Sequence, residues 1–336
     1  MFPVFRLEVE KFQGPIRKHL WENFRSILTN NSQKCGVIVL CMQTIKVPSY
    51  AKINLGLFIL GVRDDGFHEI ETILQQIDIK DEIEIKLTNS SKIDFSCDHP
   101  DLQEADSNLC VRAANLLKQT TGIQKGAQIF LSKTIPMGAG LGGGSSNAAV
   151  VLLCLNKLWG LNLSVQELRA IASRLGADIP FFILGGTAVA TGRGNLLRPA
   201  KSIGDQPIVV VFPGISVSTQ WAYTQVNLNL TIKEKNTTLA SFNDIDYDNK
   251  DFIKSLKNEF EEIVFAEYPL LEQIKKQINQ SKAIFASMSG SGSAIFGIFE
   301  KEDDALEVRS FFQNEYPTFV TRPINWGYQG VEHILV

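Results

Sequence analysis

The chain runs through Pro136, Met137, Gly138, Ala139, Gly140, Leu141, Gly142, Gly143, Gly144, Ser145, Ser146 and Asn147, then straight into the apolar stretch Ala148-Ala149-Val150-Val151-Leu152-Leu153-Cys154-Leu155. No other stretch limits the fold so tightly. Its five glycines remove side chains from the turn, so backbone N–H groups can approach a ligand and φ can become positive. Ser145 and Ser146 stand where a helix N-cap is expected, and the apolar run is long enough for a buried helix. Such a helix aims unpaired N–H groups and its positive end at whatever the glycines wrap, an environment that suits a polyphosphate. A flexible surface turn is the ordinary alternative, but such turns rarely end in a wholly apolar helix. The stretch is not a Walker A loop, because no Gly-Lys-Ser/Thr follows. It also lacks the βαβ setting and the following acidic residue of a dinucleotide-binding turn.

At 336 residues the chain exceeds one ordinary core, so two domains are expected, joined near residues 199–207. The net charge of −3 comes without any basic block, which argues against nucleic acid or a membrane surface as the main partner. Five scattered cysteines with no Cys-x-x-Cys read as free thiols of a reducing compartment such as the cytoplasm. No apolar run reaches the ~18 residues that span a bilayer. Residues 1–41 mix apolar and charged residues without a sustained period. They fit neither a signal peptide nor an acid-poor transit peptide, given Glu8, Glu10 and Glu22. Met42 is the expected working start, and residues 1–41 an extension outside the working protein.

Several polar residues sit in apolar surroundings. In Ala51-Lys52-Ile53-Asn54-Leu55-Gly56-Leu57 a strand period puts Lys52 and Asn54 on one face; a solvated edge strand is the plain alternative. Asp65-Gly66 predicts a tight hairpin turn, after which Phe67 could be core and His68 merely solvated. Residues 81–87 alternate as a half-buried strand does, and residues 88–107 read as a loop. Asn108 caps an expected helix over 109–117, and 127–131 is the strand that leads to the glycine turn. Ser164 caps a second helix that stops at Gly176. Asp178 follows among Ala177, Ile179 and Pro180, where a carboxylate costs free energy unless it is paired or at work. A helix cap is the competing role. Residues 227–251 read as exposed and mobile. Beyond them are expected a helix over 268–277, a small-residue loop through Ser289-Gly290-Ser291-Gly292, a strand over 295–299, a helix over 302–312 and a last strand from Pro317 to Pro323.

Taken together, residues 136–147 resemble the phosphate-binding motif of the GHMP kinases, named for galactokinase, homoserine, mevalonate and phosphomevalonate kinases. Ser289-Gly290-Ser291-Gly292 resembles that family's third motif, and Ala51-Lys52-Ile53-Asn54-Leu55 its first. Asp65-Gly66-Phe67-His68 and Gly176-Ala177-Asp178-Ile179-Pro180-Phe181-Phe182, in this order, narrow the resemblance. They point to the members that phosphorylate a small-molecule alcohol carrying a cytidine diphosphate, in the non-mevalonate isoprenoid pathway. The likeness runs from about Thr44 to the C-terminus.

The resemblance implies an α+β, two-domain GHMP kinase fold. A ribosomal-S5-like nucleotide domain would occupy residues 42–200, and a ferredoxin-like domain residues 201–336, with the site between them. It implies ATP as phosphoryl donor and Mg2+ as its companion, with the metal ligands and oligomeric state left open. It makes Asp178 the base for the substrate hydroxyl and sets Lys52 beside it. Asn54 would touch the substrate, Phe67 and Tyr223 would sandwich the cytosine ring, and His68 would hydrogen-bond its edge. Asn108 would meet the adenine or ribose, and the glycine turn with Ser145 and Ser146 would hold the phosphates. Two positions depart from the pattern: Ser49-Tyr50 separates Pro48 from Ala51, and Phe67 stands where a tyrosine is common. The chemistry fits these roles, since phosphoryl transfer needs positioning and charge neutralisation more than covalent help. The rivals are a GHMP kinase for a smaller alcohol, such as homoserine or mevalonate, and a nucleotide-binding protein with no chemistry.

Overall fold

The alternating residues on either side of the Asp-Gly turn form the longest elements of the molecule. In the computed structural model, which describes residues 44–102, 107–230, 245–247 and 249–325, Thr44–Val62 (β1) pairs antiparallel with His68–Thr88 (β2). The turn between them closes with the Arg63 N–H donating to Phe67 O at 2.7 Å, and Gly66 takes a left-handed φ of 80°. Ile93–Cys97 (β3), Gly126–Ser132 (β4), Thr187–Thr191 (β5) and Leu196–Pro199 (β6) complete a six-stranded sheet. β4 pairs with residues 82–88 of β2 and β5 with residues 72–75. β3 lies inside the segment expected to be a loop. Its alternation is too short to stand out, and parallel pairing with the distant β4 is what makes it a strand.

Four helices pack on this sheet: Leu109–Thr121 (α1), Gly143–Trp159 (α2), Val165–Ser173 (α3) and Ile179–Leu184 (α4). Asn108 caps α1 by accepting from the Cys110 N–H, and Ser164 and Glu167 form a capping box on α3. Ile83, Ile85, Ile129 and Leu131 from the strands meet Leu117, Leu152 and Phe181 from the helices in one core cluster.

A second sheet, in the order β10-β7-β9-β8, contains Ile208–Val211 (β7), Phe285–Met288 (β8), Ile295–Ile298 (β9) and Thr318–Thr321 (β10), all antiparallel. Its helices are Thr219–Leu230 (α5), Lys250–Ser255 (α6), Glu261–Glu267 (α7), Pro269–Gln280 (α8) and Glu302–Phe312 (α9). β7 is apolar at every position because both its faces are covered. Val209 and Val211 join Leu271, Ile274 and Phe312, while Ile208 and Val210 join Ala51, Ile53, Ile73 and Ile77 of the long hairpin. The middle of β1 is therefore buried on both sides, and any polar side chain there must find partners within the protein.

The described residues belong to one compact unit, Gln43–Val336. The extension expected over residues 1–41 lies outside the described residues, as do residues 231–244 of the segment expected to be exposed and mobile. At the end of that segment, Tyr247 is buried rather than exposed, because its ring fills space beside Phe252 and Leu256. Among the described residues no helix is long and apolar enough to cross a membrane.

Candidate active site

The glycine turn takes left-handed φ at Gly138 (64°), Gly140 (74°) and Gly142 (70°), conformations that residues with a Cβ rarely adopt. At Gly140 space is limiting as well: a Cβ would come 2.0 Å from Ser289 O, so the loop of residues 289–292 can lie against the turn only because residue 140 is glycine. α2 begins at Gly143, with Gly142 as its cap and no side-chain capping bond. This corrects the expected capping by Ser145 and Ser146. Left-handed Gly142 lets the chain enter the helix earlier, and both serines fall inside its first turn. The Ser146 N–H donates to Gly142 O at 2.9 Å, so the N–H groups of Gly143, Gly144 and Ser145 lie ahead of the helical ladder. They sit at the edge of a cleft of about 1150 Å³ whose wall includes residues 136–145 of the turn. Ser146 itself does not line that cleft. Its hydroxyl is buried and accepts from Ser49 Oγ at 2.8 Å.

Lys52 reaches the turn from β1. Its N–H donates to Leu141 O at 3.0 Å, and its Nζ donates to Asn54 Oδ1 at 2.6 Å and Gly140 O at 2.7 Å. Asn54 is oriented in turn by its Nδ2, which donates to Thr72 Oγ1 at 2.8 Å. The Lys52 side chain is 4% exposed, and Asp178 Oδ2 stands 3.9 Å from its ammonium, close enough for an ion pair and too far for a direct hydrogen bond. Burial lowers the Lys52 pKa, and the Asp178 carboxylate partly offsets that by raising it.

Asp178 occupies the N-cap position of α4, yet its side chain makes no capping bond. The competing role considered from sequence is therefore not the one it fills. Its carboxylate is 43% exposed and lines the cleft.

The cleft also holds the expected ring residues, in a different arrangement. Phe67, His68 and Tyr223 all line it, but Tyr223 stacks on His68, with centroids 4.6 Å apart and planes 27° apart. Phe67 instead lies under the Arg193 guanidinium, 3.6 Å from the ring centroid. Burial, helped by nearby Asp178, pushes the Tyr223 hydroxyl pKa well up. Asn108 also lines the cleft, with Oδ1 engaged in the α1 cap at 2.9 Å.

Two supports escaped the sequence reading. Asp81 is fully buried beneath the turn. It accepts from the Thr134 and Ile135 N–H groups at 2.7 Å each and from Asn147 Nδ2 at 2.9 Å, and it pairs with Lys133 Nζ at 2.9 Å. It thereby ties the chain entering the turn to the helix leaving it. A signal was present: residues 81, 83, 85 and 87 share one face, so Asp81 falls on the apolar side of its strand. The other support is Asn258, whose Nδ2 donates to Met288 O and Gly290 O at 2.7 Å each. Nothing in its own neighbourhood marks it.

The chain is similar to known proteins along most of its length. The family described as GHMP kinases N terminal domain matches residues 108–186, and GHMP kinases C terminal matches residues 235–318. The 4-diphosphocytidyl-2-C-methyl-D-erythritol kinase of Chlorobium phaeobacteroides (strain BS1) is 42% identical over 288 residues, covering 84% of this chain and 98% of that protein. The enzyme of the same name from Alkaliphilus oremlandii (strain OhILAs) is 41% identical over 291 residues, covering 85% and 99%. A crystal structure of 4-(cytidine 5'-diphospho)-2C-methyl-D-erythritol kinase superposes with a TM-score of 0.69 at 32% identity, covering 83% of this chain and 99% of that one. A homoserine kinase from Cytophaga hutchinsonii shares the fold, with a TM-score of 0.62 at 17% identity, covering 88% and 98%.

Proposed function

The chain belongs to the GHMP kinases, within the group of 4-diphosphocytidyl-2-C-methyl-D-erythritol kinases, and from this we propose that it transfers the γ-phosphoryl group of ATP to the 2-hydroxyl of 4-diphosphocytidyl-2-C-methyl-D-erythritol. The products are ADP and the 2-phosphate, a step of the non-mevalonate route to isoprenoid precursors. The observation that carries the assignment of roles is the Lys52–Asp178 pair, 3.9 Å apart beside the glycine turn, in a cleft that also holds Phe67, His68 and Tyr223. Asp178 takes the hydroxyl proton as the oxygen attacks the γ-phosphorus. The Lys52 ammonium offsets negative charge on the transferring group, and the N–H groups at the mouth of α2 hold the phosphates. Asn54, hydrogen-bonded to Lys52, borders the substrate alcohol. Asn108 borders the adenosine.

Magnesium is the expected companion of ATP. Among the described residues no group of three or more His, Cys, Asp or Glu could hold a metal ion. The Ser145 hydroxyl on the cleft wall, phosphate oxygens and water would suit an ion that keeps much of its hydration. Bound there, it would neutralise phosphate charge. No disulfide joins the described cysteines Cys97, Cys110 and Cys154, and a reducing, cytoplasmic setting fits that.

The direct test is a coupled ADP-release assay with the cytidyl substrate against homoserine and mevalonate. Preference for the cytidyl compound is expected; equal or better turnover of the small alcohols would reject the assignment. His68→Ala should raise the KM for the cytidyl substrate by about tenfold, the worth of one hydrogen bond to a base edge, and leave the KM for ATP unchanged. A change confined to ATP would remove His68 from the cytosine site. The pH profile gives another check. Burial lowers the Lys52 pKa and the protonated amine is the working form, so kcat/KM should fall as pH rises through that lowered value. The alkaline limb should therefore lie below the ordinary lysine value of about 10.4. A limb at or above that value would contradict the role of Lys52.

A further inference from the structure

Phe67 follows left-handed Gly66 at the tip of the β1–β2 hairpin and is 50% exposed, so core packing alone does not fix its ring. The guanidinium of Arg193 lies on that ring at 3.6 Å, a stacking distance. Arg193 is delivered there by a built turn. It stands between Gly192 (φ 69°) and Gly194 (φ 92°) at the β5–β6 connection, and the Gly194 N–H closes the turn on Thr191 O at 3.1 Å. The turn is fastened to the start of β2. The Gly192 N–H donates to Glu69 Oε1 at 3.1 Å, and the Ile70 N–H donates to Gly192 O at 2.8 Å. The other Glu69 oxygen accepts from Arg63 Nη1 at 2.5 Å, and Asp65 Oδ1 accepts from the Phe67 N–H at 3.1 Å. The backbones on both sides of the Arg193–Phe67 contact are therefore fixed, and both side chains border the cleft beside His68.

We propose that Arg193 is a positioning residue for the substrate's pyrimidine: stacked on Phe67, it holds the ring so that its free face meets cytosine. The inference rests on the cytosine-binding reading above. A guanidinium suits this task because it is flat, always charged and weakly hydrated, so it stacks on an aromatic face where a lysine would sit as a point charge. It acts through Phe67 rather than on the substrate, and that distinction is measurable.

The experiment is steady-state kinetics on Arg193→Ala, Arg193→Lys, Phe67→Ala and the Phe67→Ala/Arg193→Ala double variant. Arg193→Ala should raise the KM for the cytidyl substrate about three- to fivefold, the range of a partly exposed cation–π contact. Its kcat and KM for ATP should stay within about twofold of the parent, and Arg193→Lys should recover part of the loss. Phe67→Ala should raise the same KM further, and adding Arg193→Ala to it should change nothing more. If Phe67→Ala raises the KM while Arg193→Ala does not, the inference fails and the cytosine reading stands. An Arg193 effect that persists in the Phe67→Ala background would mean direct contact with substrate and would also overturn it, as would a parallel loss of kcat and ATP affinity. If Phe67→Ala leaves the KM unmoved, the underlying cytosine reading fails first.

Discussion

Asp178→Asn should lower kcat about a thousandfold, within the range lost when a positioned base is removed, and leave ATP binding almost unchanged. The proposed phosphate cradle does not use Asp178, and the side chain makes no capping bond whose loss would loosen α4. Thermal stability should therefore hold, which separates lost chemistry from lost fold. The substitution has a second signature. The Asp178 charge raises the pKa of buried Lys52, so neutralising it should move the alkaline limb of the residual activity to lower pH. A kcat within tenfold of the parent would remove Asp178 from the base role.

The other large effect is on stability. Asp81→Ala should cost about 3–5 kcal/mol, because it strands the nearly buried Lys133 ammonium and leaves the Thr134 and Ile135 N–H groups without their acceptor. The melting temperature should fall by on the order of 10 °C. Replacing Asp81 and Lys133 together, by alanine and methionine, should cost less than Asp81→Ala alone, since no unpaired charge then stays behind. Denaturant unfolding of the parent and the two variants measures this. A loss under about 1 kcal/mol for Asp81→Ala would show that the clasp beneath the turn is unimportant.

The contrast between these residues indicates which features can be read from a linear sequence. Lys52 and Asn54 are legible because a strand period alone puts them together, and their 2.6 Å hydrogen bond follows from that period. The glycine turn and its helix are legible because backbone conformation is written locally. The helix start is displaced only by Gly142, whose φ the sequence permits without requiring. Asp178 is ambiguous locally, since capping and catalysis call for the same residue at the same place, and the structure removes only the capping role. Asp81 could be found from its apolar-face position but is hidden by the acidic alternation of its neighbours. Asn258 could not be found at all, because the carbonyls it binds belong to residues 288 and 290. The partners of Phe67 and Tyr223 depend on how separate loops are docked, which residue spacing does not encode.

The carbonyl oxygen of Gly140 accepts from Lys52 Nζ at 2.7 Å and from Ser289 Oγ at 2.9 Å. One atom thus knots together three segments that lie 88 and 149 positions apart. During translation a nascent chain can form the early sheet and its helices, but it cannot tie this knot until residue 289 has left the ribosome. The clasp therefore forms only after the 149 positions that separate its two ends have been made, and a product terminated between them would carry the glycine signature without it.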